Sequence, residues 1–306
     1  MLGTLTRGAS RLSICLLVLT PGIPRLLAAP AGDGIVAPGA KLVRLSEGFK
    51  FTEGPAADAE GNVFFTDQPN NRIMEWSVNG KLSVFMQPAG RANGMFFDKK
   101  GNLYACADLH NQLWEISPSK KVTVLVKSYQ GKLLNGPNDV WVRPDGGIYI
   151  TDPFYKRDYW TRGPMEQPGQ YVYYMPPDHK KLIRVIDDLQ KPNGIIGTPN
   201  GKTLYVADIQ GNKTYSYHID PNGTLSDQKL FVNRGSDGMT IDSRGDVYLS
   251  GKGVTVFNSR GEQIDKIPVP QPWTGNITFG GRHRSTLFIT ASDSLYSVQT
   301  RVHGVR

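Results

Sequence analysis

Pro137-Asn138-Asp139-Val140-Trp141-Val142-Arg143-Pro144-Asp145-Gly146-Gly147-Ile148-Tyr149-Ile150-Thr151-Asp152 reads as two β-strands joined by a tight turn. A polar residue, Asn138, opens a short apolar strand, and an aromatic, Tyr149, centres the second strand. Between them Pro144 presets one turn dihedral and the Asp-Gly-Gly that follows tolerates the unusual ones, which is the chemistry of a hairpin turn. The second strand recurs around Phe64, Tyr104, Tyr205, Tyr248 and Phe288, each time after a glycine-containing turn. The six aromatics stand 40, 45, 56, 43 and 40 residues apart. Hairpins at that period are the mark of four-stranded propeller blades. No stretch carries convincing helical periodicity. The sequence therefore predicts an all-β fold, a six-bladed β-propeller with four-stranded blades over residues 41 to 306. Residues 41 to 46 are expected to complete the last blade beside residues 294 to 298, which leaves no open sheet edge where the ring closes.

Residues 1 to 31 differ from the rest. Arg7 and Arg11 precede the apolar run of residues 12 to 19, and Ala29-Pro30-Ala31 follows it, the layout of a secretory signal peptide. The run is too short to span a bilayer, which needs about 20 apolar residues. A secreted or periplasmic protein with no membrane association after cleavage is expected, with residues 32 to 40 as a linker. Cys15 lies in that leader, so Cys106 stands alone after it and no intramolecular disulfide is available. The net charge of +8 includes Arg7, Arg11 and Arg25 of the leader, leaving about +5 beyond it. Lysine and arginine are scattered in ones and twos, a pattern of a solvated surface and not of a nucleic-acid-binding stripe. The oligomeric state is not legible.

Counting back from each aromatic finds a polar anchor. Glu53, Asn93, Asn138 and Asp237 lie eleven residues before theirs, and Asn193 and Asn276 lie twelve before. The first strand of a propeller blade lines the central channel, so six equivalent anchors form a ring at one mouth. Carboxylate and amide oxygens are hard donors that suit Ca²⁺, with Zn²⁺, Mn²⁺ or Mg²⁺ as alternatives. None of the five histidines falls at an anchor position. At a single blade Asn-Gly or Pro-Asn is ordinary turn chemistry; six in one register point to a metal.

Glu53-Gly54-Pro55, Pro137-Asn138-Asp139, Pro192-Asn193-Gly194 and Ser236-Asp237-Gly238-Met239, in that order, resemble the SMP-30/gluconolactonase/luciferin-regenerating family of six-bladed propellers. The resemblance covers residues 47 to 298, and residues 134 to 139 and 150 to 153 look like its bacterial gluconolactonase branch. It implies Glu53, Asn193 and Asp237 as ligands of one divalent cation, and Asn138 as a fourth ligand or a substrate contact. It also implies a calcium-dependent hydrolase that opens a sugar lactone, a small-molecule substrate. In that chemistry the metal polarises the carbonyl, and Asp237 is the candidate base or nucleophile for the attack. The alternatives are an esterase or organophosphate hydrolase using the same site, and a propeller that only binds.

Asn93, as an anchor, is a further candidate substrate contact. Asp152 and Asp208 end second strands on the anchor side and are candidates for the same role, against a purely structural reading as loop caps. A long insertion, residues 153 to 170, is rich in aromatic and basic side chains. It is read as a lid, with Tyr155 placed for substrate. His110 is read as a surface residue.

Overall fold

The computed structural model describes residues 1 to 3 and 34 to 305. The reading of residues 1 to 31 as a signal peptide falls almost wholly outside the described residues. From Gly34 onward the chain forms one compact unit.

Six four-stranded antiparallel sheets account for nearly all of it. The first blade contains Thr52–Ala57, Val63–Asp67, Arg72–Trp76 and Leu82–Met86. Ala92–Phe97, Leu103–Ala107, Gln112–Ile116 and Val122–Val126 form the second, and Val140–Val142, Ile148–Asp152, Tyr171–Met175 and Ile183–Ile186 the third. Pro192–Gly197, Thr203–Asp208, Lys213–Ile219 and Leu225–Val232 form the fourth, and Met239–Ile241, Val247–Leu249, Val254–Phe257 and Gln263–Ile267 the fifth. The sixth joins Asn276–Gly280, Thr286–Ala291 and Ser294–Gln299 to Val43–Glu47. The fold is the expected six-bladed propeller, closed by the expected outer strand. Two 3₁₀ turns, Gln68–Asn70 and Asp108–His110, and a small hairpin of Ser128–Tyr129 with Lys132–Leu133 decorate it.

The burial pattern explains why the second strands were so legible. A second strand has a neighbouring blade on each face of its sheet, so both faces are dry and the sequence reads as an apolar run rather than an alternation. All six marker aromatics are buried. Tyr149 shows the packing: Trp141 stacks on it at 5.8 Å, Tyr174 lies at 4.7 Å, and its hydroxyl donates to the Gly223 carbonyl of blade four at 2.8 Å. Outer strands alternate less clearly and carry the exposed apolar residues Val84, Val124, Leu230 and Ile264.

One boundary is corrected. The linker expected over residues 32 to 40 belongs, from Ile35 on, to the packed domain. Ile35 is fully buried in the core of blades five and six, and its N–H donates to Asp265 Oδ2 at 2.8 Å. The glycine- and proline-rich composition concealed a single apolar plug.

The closing seam packs Phe65 of blade one with Phe288 and Leu295 of blade six. Phe65 is fully buried and meets Phe49 edge to face at 5.2 Å. Phe65→Ala is expected to cost about 3–5 kcal/mol, measured by urea unfolding; a loss under about 1 kcal/mol would show that the seam is not a core.

Candidate active site at the anchor mouth of the channel

The strand register fixes which residues share a level in the channel. In five blades the anchor is the third residue before the one paired with the marker aromatic: Glu53 before Ala56, Asn93 before Phe96, Asn138 before Trp141, Asn193 before Ile196 and Asp237 before Thr240. In blade six Phe288 pairs with Thr278, so the ring position belongs to Gly275 and Asn276 lies one level deeper. The expected sixth anchor is therefore corrected: the hairpin turn of blade six is longer than the count from its aromatic allowed for.

The deeper level has its own logic. It holds Gly54, Gly94, Asp139, Gly194, Gly238 and Asn276, four glycines around two polar side chains. A Cβ on Gly238 would lie 1.9 Å from Asn276 Cγ, and one on Gly94 would lie 2.3 Å from Asp139 Oδ1. The glycines vacate the space that Asp139 and Asn276 fill. These two equivalent residues are held alike, each by its own side-chain oxygen accepting the next backbone N–H and by its backbone N–H donating to a threonine hydroxyl, Thr151 or Thr290. Beneath them the channel widens into an apolar-walled cavity of about 570 Å³ that opens at the opposite mouth.

In the ring, Glu53 is buried, and its Oε2 accepts the Gly54 N–H at 2.9 Å. A Cβ at Gly275 would come within 2.8 Å of Glu53 Oε1, so the missing anchor of blade six gives Glu53 its room. Asp237 accepts from Asn193 Nδ2 at 2.9 Å through Oδ1 and from Trp273 Nε1 at 2.5 Å through Oδ2. Asn193 Nδ2 also donates to the Tyr155 hydroxyl at 2.9 Å. With its amide nitrogen so committed, Asn193 Oδ1 is a buried acceptor with no hydrogen-bond partner among the described residues. The Asn93 and Asn138 side-chain amides, 4% and 6% exposed, hydrogen-bond to no other described residue.

Burial, then the neighbouring Asp237 and, more weakly, Asp139, hold the Glu53 carboxyl well above the usual carboxylate range, although the Gly54 N–H and the Asn276 amide oppose them. Burial pushes Asp237 up to about 6, against the pull of Trp273, Asn193 and Arg157. It pushes Asp139 up to about 8, opposed by the N–H groups of Val140 and Ile195 and by Asn276. Three carboxyl groups thus share one poorly hydrated space, and the Asn276 amide lowers two of them, Glu53 and Asp139.

Two expected contacts have other work. Asp152 accepts the N–H groups of Asn135 at 2.9 Å and Gly136 at 2.8 Å, one on each oxygen. Asp208 accepts those of Gln190, Lys191 and Gly211, each at 2.9 Å. Both are loop caps beside the mouth, and their oxygens are already committed, so neither enters the site proposed below. His110 is exposed, as expected. Residues 153 to 170 do lie over the anchor side: Arg157 pairs with Asp108 at 3.0 Å, the Tyr159 hydroxyl donates to the same carboxylate, and Trp160 Nε1 donates to the Asp108 carbonyl at 2.8 Å. The insertion spans from blade two to Asn193 of blade four.

Sequence reasoning missed Trp273, Asp139, Asn276 as a second-level residue, and the clasp Asp108. Trp273 comes from the segment before blade six, which has no periodic signal. Asp139 could have been found, because four of the six anchors are followed by glycine and Asn138 is followed by aspartate.

Asp208→Ala would leave three backbone N–H groups without an acceptor, at about 1–3 kcal/mol for each that stays buried. A loss of about 3 kcal/mol or more in denaturant unfolding is expected; an unchanged midpoint would return Asp208 to the list of ligand contacts.

Over 307 aligned residues, 90% of this chain and 86% of its relative, the sequence is 27% identical to the gluconolactonase of Zymomonas mobilis. The fold superposes with a TM-score of 0.80 on a gluconolactonase of Xanthomonas campestris, 30% identical over 87% of this chain and 91% of that one. It also matches a calcium-binding regucalcin of Agrobacterium tumefaciens with a TM-score of 0.72 at 20% identity, over 86% and 94% of the two chains, a likeness of fold. The model of the SMP-30/Gluconolactonase/LRE-like region matches residues 51–293, and this chain belongs to that family.

Proposed function

We propose that this protein is a lactonase that hydrolyses sugar lactones at the anchor mouth, with a divalent cation, Ca²⁺ by its donor set, as cofactor. The observation that carries the metal reading is Asn193: its nitrogen is spent on Asp237 and Tyr155, and its buried oxygen has no partner among the described residues. A cation beside Glu53 and Asp237 would supply that partner and offset the repulsion between the two carboxylates. Glu53, Asn193 and Asp237, with Asn138 as the fourth, are the residues that would hold it, an all-oxygen set of the kind calcium takes. Bound there, such an ion supplies Lewis-acid polarisation of an ester carbonyl.

The residues of the chain supply the rest. Asp237 is the base that takes a proton from the attacking water. Its orientation is set from two sides, by Asn193 on one oxygen and by Trp273 on the other. The unpaired amide of Asn93, and the nitrogen of the Asn138 amide whose oxygen faces the cation, would bind the hydroxyl groups of a sugar ring. Trp273 and Tyr155, both half-buried, frame the entrance and limit the water around the reacting ester.

Asp237→Asn is expected to lower kcat on gluconolactone by about 10² to 10⁴, read by proton release. Glu53→Gln keeps the shape and removes a charge, so the calcium concentration needed for half activity should rise by about tenfold or more. Activity that survives both exhaustive chelation and Glu53→Gln contradicts the metal reading.

The raised carboxyls also set a pH dependence. A carboxyl whose folded-state pKa exceeds its unfolded value binds its proton more tightly when folded, so the metal-free protein loses stability as pH rises from about 4 through the folded value, about 6 for Asp237. Calcium competes with those protons and binds better above that value. The stabilisation by calcium, read as a gain in Tm, should therefore be larger at pH 7.5 than at pH 5, with its free energy approaching about 2.7 kcal/mol at a hundredfold excess over Kd. Equal gains at the two pH values would contradict it.

A further inference from the structure

The lid brings a second, differently charged feature to the mouth. Tyr155 donates one end of its ring to the site, where its hydroxyl accepts from Asn193 Nδ2 at 2.9 Å. Against its ring face lie two cations, Lys191 Nζ at 4.5 Å and the Arg157 guanidinium at 5.4 Å from the centroid. The two are not equivalent. Arg157 is tied to the Asp108 carboxylate at 3.0 Å, which fixes the lid and neutralises the charge. Lys191 has no carboxylate within ion-pair distance among the described residues.

The backbone of Lys191 is nevertheless rigidly placed. Its N–H donates to Asp208 Oδ1 at 2.9 Å, and its carbonyl accepts from the Ile209 N–H at 3.1 Å. It stands two residues before Asn193 and is half-buried. An ammonium carried by a half-buried residue on a clamped backbone, unpaired by any described acid and separated from the reaction centre by one tyrosine ring, is a preformed place for an anion. The cation–π contact holds the ammonium against the ring without neutralising it.

We propose that Lys191, positioned on Tyr155, is a specificity residue that receives a carboxylate at the end of the substrate remote from its ester carbonyl, so that the preferred lactones are those of sugar diacids. This rests on the lactonase reading above and narrows it. In a six-carbon diacid lactone the ring carbonyl reaches the Asn193–Asp237 end while the free carboxylate passes along the Tyr155 ring to Nζ. The neutral lactone of the corresponding monoacid has a hydroxyl there and gains no charge contact.

The test compares glucaro-1,4-lactone with glucono-1,4-lactone, which share a ring and differ in the terminal carboxylate. The wild-type protein should favour the diacid lactone in kcat/KM. Lys191→Met should collapse that preference about tenfold, through KM, while Lys191→Arg restores part of it; added salt should shrink the wild-type preference. No preference in the wild type, or an equal fall on both lactones in Lys191→Met, overturns the proposal. Calorimetric binding of glucarate and gluconate to the calcium-supplemented protein separates this from the lactonase reading. If neither lactone is hydrolysed but glucarate binds more tightly than gluconate and Lys191→Met abolishes the difference, the lactonase reading fails and the anion site stands. Equal binding of the two, or none, overturns the anion site.

Discussion

The structure depends on the confinement of Glu53 and Asp237 in one dry channel mouth. Two carboxylates that share a poorly hydrated site repel each other and resist ionisation; here burial raises both, and the charge of Asp237 raises Glu53 further. A fold does not keep such a pair for its own stability, because an apolar pair of the same volume would be cheaper to bury. On the proposed reading a cation completes the arrangement, and the Asn193 oxygen, unpartnered among the described residues, would face the same ion from the neutral side.

The surrounding levels serve that mouth. Below it, Asp139 and Asn276 plug the channel, and glycines make way for them. Around it, Asn193 and Trp273 fix the orientation of Asp237, while the Asp152 and Asp208 caps hold the loops that carry Asn138 and Asn193 into place. Above it, the insertion is clasped by Asp108 and lowers Tyr155 onto Asn193. The precision comes from the propeller itself: every ring anchor lies within two residues of the start of a first strand, and each such strand is wedged between two neighbouring blades.

The fold was legible because the second strands are buried on both faces. An aromatic in a dry, two-sided slot is constrained enough to recur, and Phe64, Tyr104, Tyr149, Tyr205, Tyr248 and Phe288 gave the blade count and the register of five anchors directly. The sixth failed for a geometric reason: the count allowed the turn of blade six one extra residue, as in blade four, and it has two, so Asn276 was placed one level too high. Ile35 was missed because one buried side chain in a glycine-rich segment has no pattern to betray it. Trp273 was missed because its partner, Asp237, is 36 residues away and only tertiary structure joins them. Asp152 and Asp208 show the opposite limit, since a carboxylate at a strand end reads the same whether it serves a ligand or a backbone amide.

The most direct test is calorimetric titration of calcium into chelator-stripped protein at pH 6 in buffers of different ionisation enthalpy, which yields stoichiometry and proton release together. One ion per chain, bound with net release of protons from the Glu53–Asp237 pair and weakened in Glu53→Gln, is the predicted result. No calcium-binding heat, or binding that releases no proton and is indifferent to Glu53→Gln, would contradict the account.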